Sequence, residues 1–157
     1  MLILLSPSKS LNFENTTNEY PTTLPFFRSK SLELVKIMQS KSVKDLMEMM
    51  EISESIAVEN VRRFKNYKAR FPDNQSKAAI FAFDGDVYTG LDAYTLSEEN
   101  VYYANDHVRI LSGLYGVLKP LDKMQAYRLE MGRRLVTSLG SNLYHFWGDE
   151  IAKTIKK

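Results

Sequence analysis

Lys9 stands just past a short apolar stretch and the turn signal Ser6-Pro7. An ammonium placed there, with nearby backbone N–H groups, can hold a phosphate or a carboxylate. The Gly-rich phosphate-loop pattern is absent, so a solvated strand-end lysine is the plainer reading of spacing alone. A second concentration of charge runs from Val61 to Arg70, where Arg62, Arg63, Lys65, Lys68 and Arg70 interleave with Phe64 and Tyr67 and no acid intervenes. Such a helix could track phosphates and stack bases. A charged helix face is ordinarily only hydrated, however, and Phe64 suits a core position. Lys119 to Arg134 then carries five bases, including Lys119, Lys123, Arg128 and Arg133, against Asp122 and Glu130.

Two further groupings bear on chemistry. Gly113 and Gly116 bracket Tyr115 beside Lys119 and Lys123. A hairpin there could offer backbone N–H donors to a phosphate, and a strand ending in a turn explains the same glycines equally well. Tyr127, Arg128 and Glu130 suit an Arg–carboxylate pair, or, with Asp86, an acid/base set. The ion pair is the commoner outcome, and no residue is assigned a catalytic role. His107 and His145 lie far apart without an accompanying carboxylate pattern, so neither a metal nor any other cofactor is expected.

Whatever positions these residues is an ordinary folded chain. The sequence has 157 residues, 44% hydrophobic and 25% charged, long enough for one domain with a core. A net charge of +2 does not announce a nucleic-acid binder, so the local basic segments must carry that argument. No apolar run is long enough to span a bilayer and Met1 to Leu5 lacks the features of a signal peptide, so a cytoplasmic location without membrane contact is expected. With no cysteine there is neither a disulfide nor a thiolate metal site.

Met1 to Leu5 reads as a fully buried strand, stopped by Ser6-Pro7. Leu11 to Pro25, rich in Asn, Thr and Pro, reads as irregular surface loop. Leu34, Ile37 and Met38 mark a first helix from Ser31, and Ser42 with Asp45 a capping box for a second. Ser53 caps a third, with Ile56, Val61 and Phe64 as its apolar stripe, Arg63, Tyr67 and Arg70 on a neighbouring face, and Phe71-Pro72-Asp73 as its stop. Ala78 to Phe83 reads as an inner strand, and Asp84-Gly85-Asp86 as a turn in which the glycine can take positive φ. Val87 to Leu91 is irregular or a short helix, Ser97 caps another helix running to His107, and Val108 to Leu111 is a strand. Phe146 and Trp147 read as core, and a helix begins near Trp147 with Ile151 and Ile155 as its buried face. The whole is one α+β, or irregular mixed α/β, domain with a central sheet flanked by helices.

Four ordered motifs then carry a resemblance: MLILLSPSKS at the start, FDGDVYTGL at Phe83 to Leu91, LSGLYGVLKPLDKMQAYRLEMG at Leu111 to Gly132, and LYHFWGD at Leu143 to Asp149. Together they resemble the YaaA family throughout this chain. Ser6, Pro7, Lys9 and Ser10 match that family's opening S-P-x-K-[TS], and Arg63 and Phe64 match in the third helix. The resemblance implies a compact mixed fold outside the common superfolds, a positively charged cleft, a helix-hairpin-helix-like element, and binding of duplex or distorted DNA under peroxide stress. It favours the anion-binding reading of Lys9. The expected phosphate contacts of a non-enzymatic DNA-binding protein are then Lys9, Arg63, Lys119, Lys123, Arg128 and Arg133, with double-stranded or structured DNA as the partner and DNA repair proteins as further candidates. The alternative is an enzyme acting on a nucleotide or phosphorylated small molecule, with Asp86 or Glu130 as acid/base. Chains of the family run on past residue 157, so residues 1–157 are expected to be the amino-terminal portion of one domain, incomplete at its C-terminus. That portion, isolated, is expected to show uncovered apolar surface and to associate.

Overall fold

In a computed structural model, which describes residues 1–15 and 19–157, the chain opens with two short strands, β1 (Ile3–Leu5) and β2 (Ser10–Leu11). Three helices follow, α1 (Arg28–Gln39), α2 (Val43–Met50) and α3 (Glu54–Asn66). Next come β3 (Lys77–Ala78), the helical turn α4 (Ala79–Ala82), β4 (Phe83–Asp84), α5 (Asp86–Leu91) and α6 (Glu98–His107). The rest is β5 (Val108–Ser112), β6 (Gly116–Leu118), β7 (Lys123–Met124), β8 (Arg134–Thr137), β9 (Gly140–Asn142), α7 (Leu143–Trp147) and α8 (Glu150–Ile155). The class is the expected mixed α+β. Part of the expected loop from Leu11 to Pro25, residues 16–18, lies outside the described residues.

β5 is the middle strand of a three-stranded sheet, parallel to β1 on one side and antiparallel to β6 on the other. The remaining strands form the pairs β2–β4, β3–β7 and β8–β9. The expectation of a fully buried opening strand is corrected: Ile3 and Leu4 are 44% and 49% exposed. Among the described residues β1 pairs with no strand but β5, and an edge strand keeps one side uncovered.

The helices start where the sequence signals them. The Ser42 hydroxyl accepts from Asp45 N–H at 3.1 Å while the Asp45 carboxylate accepts from Ser42 N–H at 2.8 Å, the two halves of a capping box. Those bonds hold the Asp45 carboxyl below its ordinary value. On α3 the buried stripe is Ala57, Asn60 and Phe64, whereas Ile56 is exposed and Val61 half-buried. The helix also stops at Asn66 rather than at Phe71-Pro72-Asp73, leaving Tyr67 and Arg70 off it. The reason is a competing long-range acceptor: the Lys68 N–H donates to Gln125 Oε1 at 2.9 Å.

Two other readings are revised. Ala78 to Phe83 is not one strand, because Ala79 and Ile80 donate to Asp122 O and Pro120 O and turn the chain into α4. Gly85 has φ 174, extended backbone open to any residue. A Cβ there would lie 2.5 Å from Ser8 Oγ, so a larger residue would have to displace the hydroxyl that donates to Asp84 O.

Gly113 stands in the tight turn between β5 and β6, and Gly116 opens β6. That segment is a β-hairpin, in keeping with the reading of its glycines as a strand ending in a turn. Gly116 has φ 72, and Trp147 packs against it closely enough that a Cβ would meet its ring at 2.9 Å. Trp147 also donates its indole N–H to Gly113 O at 3.0 Å, so α7 clamps the hairpin. Trp147, Tyr115, Phe64, Phe71 and Phe146 are the largest fully buried side chains of one continuous core. The helix expected to run on from Trp147 breaks at Gly148, φ 51, and resumes as α8, where Ile151 and Ile155 are half-buried against that core. Among the described residues no helix is long and apolar enough to cross a membrane.

Candidate nucleic-acid interface

Glu130 draws together cations from three parts of the chain. Its Oε1 lies 3.3 Å from the Arg128 guanidinium and 3.7 Å from Lys9 Nζ, and its Oε2 lies 3.3 Å from Arg133 Nε. Arg133 reaches on to Glu51 at 2.7 Å. The Glu51 hydrogen bond, with that of Glu130 behind it, holds the Arg133 guanidinium above its ordinary value. Three cations against two carboxylates leave one positive charge over. Lys9 is itself 67% exposed, so its pairing with Glu130 is weak and easily exchanged for another anion.

Each member is set in place by its own segment. Lys9 lies between Ser8, which bonds Asp84 O, and β2, which pairs with β4. Arg128 is held through its backbone: its N–H donates to Asn60 Oδ1 and its carbonyl accepts from Asn60 Nδ2, both at 3.0 Å. Arg128 Nε is buried and has no hydrogen-bond partner among the described residues, which leaves one donor of the guanidinium unspent. Glu51 ends α2 with φ 54, a left-handed conformation uncommon outside glycine.

Beneath the 125–130 segment lies a buried polar layer. Tyr115 OH accepts from Gln125 N–H at 2.9 Å, and the Tyr127 hydroxyl meets Ser112 Oγ at 2.6 Å. Burial pushes the Tyr115 and Tyr127 phenols well up from their ordinary value. Tyr127 thus belongs to this layer, while Arg128 and Glu130 form the ion pair anticipated for them.

The other anticipated residues are distributed more widely. Arg63 bonds Glu59 at 3.1 Å, one helical turn beyond Asn60. Lys123 pairs with Asp73. Lys119 lines a separate cavity with Arg109 and Asp122. Asp122 is buried and its carboxyl is pushed up by that burial, although Thr23 and the Lys119 N–H both donate to it. Asp86 is exposed in the first turn of α5, and no hydrogen bond or ion pair joins it to Glu130 among the described residues. Sequence reasoning missed Glu51 and Asn60. A signal for Asn60 existed, since a polar residue between Ala57 and Phe64 interrupts an otherwise apolar stripe.

Comparison with known proteins assigns the chain to a family. The sequence profile described as "Peroxide stress protein YaaA" matches residues 1–157. A "UPF0246 protein" of Delftia acidovorans is 48% identical over 158 residues, covering 100% of this chain and 60% of the relative. A "UPF0246 protein" of Shewanella piezotolerans is 49% identical over 157 residues, covering 100% of this chain and 61% of the relative. The chain therefore spans about 60% of the length of these curated relatives. By the full-length profile match and these identities, the chain belongs to the YaaA family of peroxide stress proteins.

Proposed function

We propose that this protein takes part in the peroxide stress response by binding duplex or distorted DNA in the cytoplasm, largely without sequence specificity. The observation that carries the reading is the convergence of Lys9, Arg128 and Arg133 on Glu130, with one positive charge left over after Glu51 is counted. Lysine and arginine side chains gathered this way suit phosphate oxygens, contacts that position a protein on DNA but read no sequence. Backbone phosphates are also what a damaged or bent duplex retains when its bases are altered. Arg63 lies on α3 one turn beyond Asn60, which holds Arg128.

The test is fluorescence anisotropy with labelled duplexes of unrelated sequence, titrated across salt. Affinity should be similar for all sequences and should fall by roughly 0.9 log units per log unit of salt for each phosphate contacted. Replacing Lys9 and Arg133 together by Ala should weaken every duplex alike and lower the salt slope by about two such contacts. A salt-independent affinity, or binding untouched by the double replacement, would overturn the proposal.

A further inference from the structure

A cavity of about 390 Å³ opens at the C-terminal end of α3, apart from the Glu130 cluster. It falls in the range of about 300–1,000 Å³ usual for small-molecule sites and is far too small for a duplex. Its charged lining is wholly cationic: Arg62, Arg63 and Lys68. Glu59 pairs with both arginines, at 4.0 and 3.1 Å, but it does not line the cavity and it offsets only one of the three charges. Two positive charges therefore remain at the cavity, against the roughly −1.5 to −2 of a phosphate monoester near neutral pH.

The remaining lining is built for a flat polar ring. Gln125, 1% exposed, is locked: its Oε1 accepts from Lys68 N–H and from Gln75 Nε2, each at 2.9 Å, and its Nε2 donates to Lys68 O at 2.7 Å. Gln75 is fixed in turn by donating to Asn66 O at 2.6 Å. These amides form a wall whose geometry is set before any ligand arrives, which lowers the cost of binding. Gln75 Oε1 and the side-chain amides of Asn66 and Asn74 have no hydrogen-bond partner among the described residues, so both donors and acceptors remain for the edge of a heterocycle. Phe13, on the lining with them, supplies a surface against which a base can stack.

We propose that this cavity binds a nucleoside 5′-monophosphate, its phosphate held by Arg62, Arg63 and Lys68 and its base set against Phe13 and the amide wall. The cavity shares no residue with the Lys9–Arg128–Arg133 cluster that carries the DNA reading, and only Arg63 is common to both sets of expected phosphate contacts. It also gives the basic run at the end of α3 a small-molecule role.

Isothermal titration calorimetry of the protein without DNA, with AMP, GMP, CMP and UMP, tests it against ribose 5-phosphate and adenosine. At least one nucleotide should bind, with both fragments about tenfold weaker or more. Lys68→Glu should weaken that nucleotide by at least about tenfold without moving the thermal midpoint, because the Lys68 ammonium makes no ion pair among the described residues. Phe13→Leu should weaken the nucleotide but not ribose 5-phosphate. Asn74→Ala, at an exposed position, serves the same comparison if the Phe13 variant does not fold. Failure of all four nucleotides to bind overturns the inference and leaves the DNA reading standing. Ribose 5-phosphate binding as tightly as any nucleotide, or a nucleotide affinity unchanged by Lys68→Glu, overturns it as well.

Discussion

The side chain of Asn60 and the backbone of Arg128 hold each other by two hydrogen bonds, each 3.0 Å long. Asn60 is fully buried on α3 and Arg128 sits in the irregular segment that follows β7, so this exchange sets where the Glu130 cluster lies against the helices. A side-chain amide can do this because it sets an N–H donor beside a carbonyl acceptor, matching the acceptor and donor of a backbone residue.

Asn60→Leu should therefore be costly although the residue lies among apolar neighbours. It strands an N–H and a carbonyl, at about 1–3 kcal/mol for each buried group left unsatisfied. Asn60→Asp keeps the acceptor and sets a carboxylate against the Arg128 carbonyl, so it too should destabilise. Urea unfolding of both variants checks this, and a loss below about 1 kcal/mol for Asn60→Leu would show that the exchange does not fix the segment.

Glu130→Gln should tighten DNA binding, opposite in sign to the loss from Lys9→Ala. Removing the carboxylate releases Lys9 and Arg128 and leaves Arg133 with Glu51 alone, and a gain on the order of 1 kcal/mol, several-fold in affinity, is expected at low salt. Anisotropy titrations of the two variants side by side decide it. A loss of affinity on Glu130→Gln would mean that the carboxylate's role is to hold the arginines in a binding geometry.

The sequence made the local features legible and left the long-range ones hidden. Capping by Ser42, Ser53 and Ser97 is encoded within a few residues, and all three helices begin where those serines stand. The end of α3 is not encoded locally, because Gln125, 57 residues away, takes the Lys68 N–H. The apolar run Ala78 to Phe83 has strand composition but bends into α4 because Asp122 and Pro120 offer carbonyls to Ala79 and Ile80. At the cluster, Lys9, Arg128, Arg133 and Glu130 could each be singled out from residue type and setting. That they meet follows from β2 pairing with β4 and from Asn60 gripping Arg128, neither of which leaves a mark in the local pattern. Glu51 carries no sequence signal of its role at all.

Alkaline conditions should destabilise the fold. Burial pushes the Tyr67 phenol from its ordinary 10.0 up to about 12, and it pushes Tyr88, Tyr115 and Tyr127 up as well. A raised folded-state value means that the unfolded chain gives up these protons first. Stability from this source is fully present below about pH 10 and is lost as pH rises from there through about 12. Phenolate absorbance followed alongside circular dichroism should show part of the tyrosine signal appearing together with loss of structure. Complete ionisation of every tyrosine with the fold intact would contradict the buried layer.

Gly113 offers the sharpest contrast between two glycines. A Cβ there would fall 2.1 Å from Leu129 O and 3.1 Å from Met131 N, backbone atoms that cannot step aside as a flexible side chain would. Gly90, in α5, has nothing within 4 Å of its Cβ position. Gly90→Ala should therefore gain about 0.5–1 kcal/mol, the ordinary advantage of alanine in a helix. Gly113→Ala should lose about 3 kcal/mol or more, in the range reserved for core overlap, and lower the thermal midpoint by roughly 6–12 °C. The same replacement must displace Leu129, which lies between Arg128 and Glu130, so it should also weaken DNA binding at temperatures where the variant remains folded. Thermal melts with anisotropy measured well below the midpoint separate the two effects. If Gly113→Ala melts normally, the hairpin is free to move away from residues 129–131; if it melts early but binds DNA undiminished, the Arg128–Glu130 geometry is not what the DNA meets.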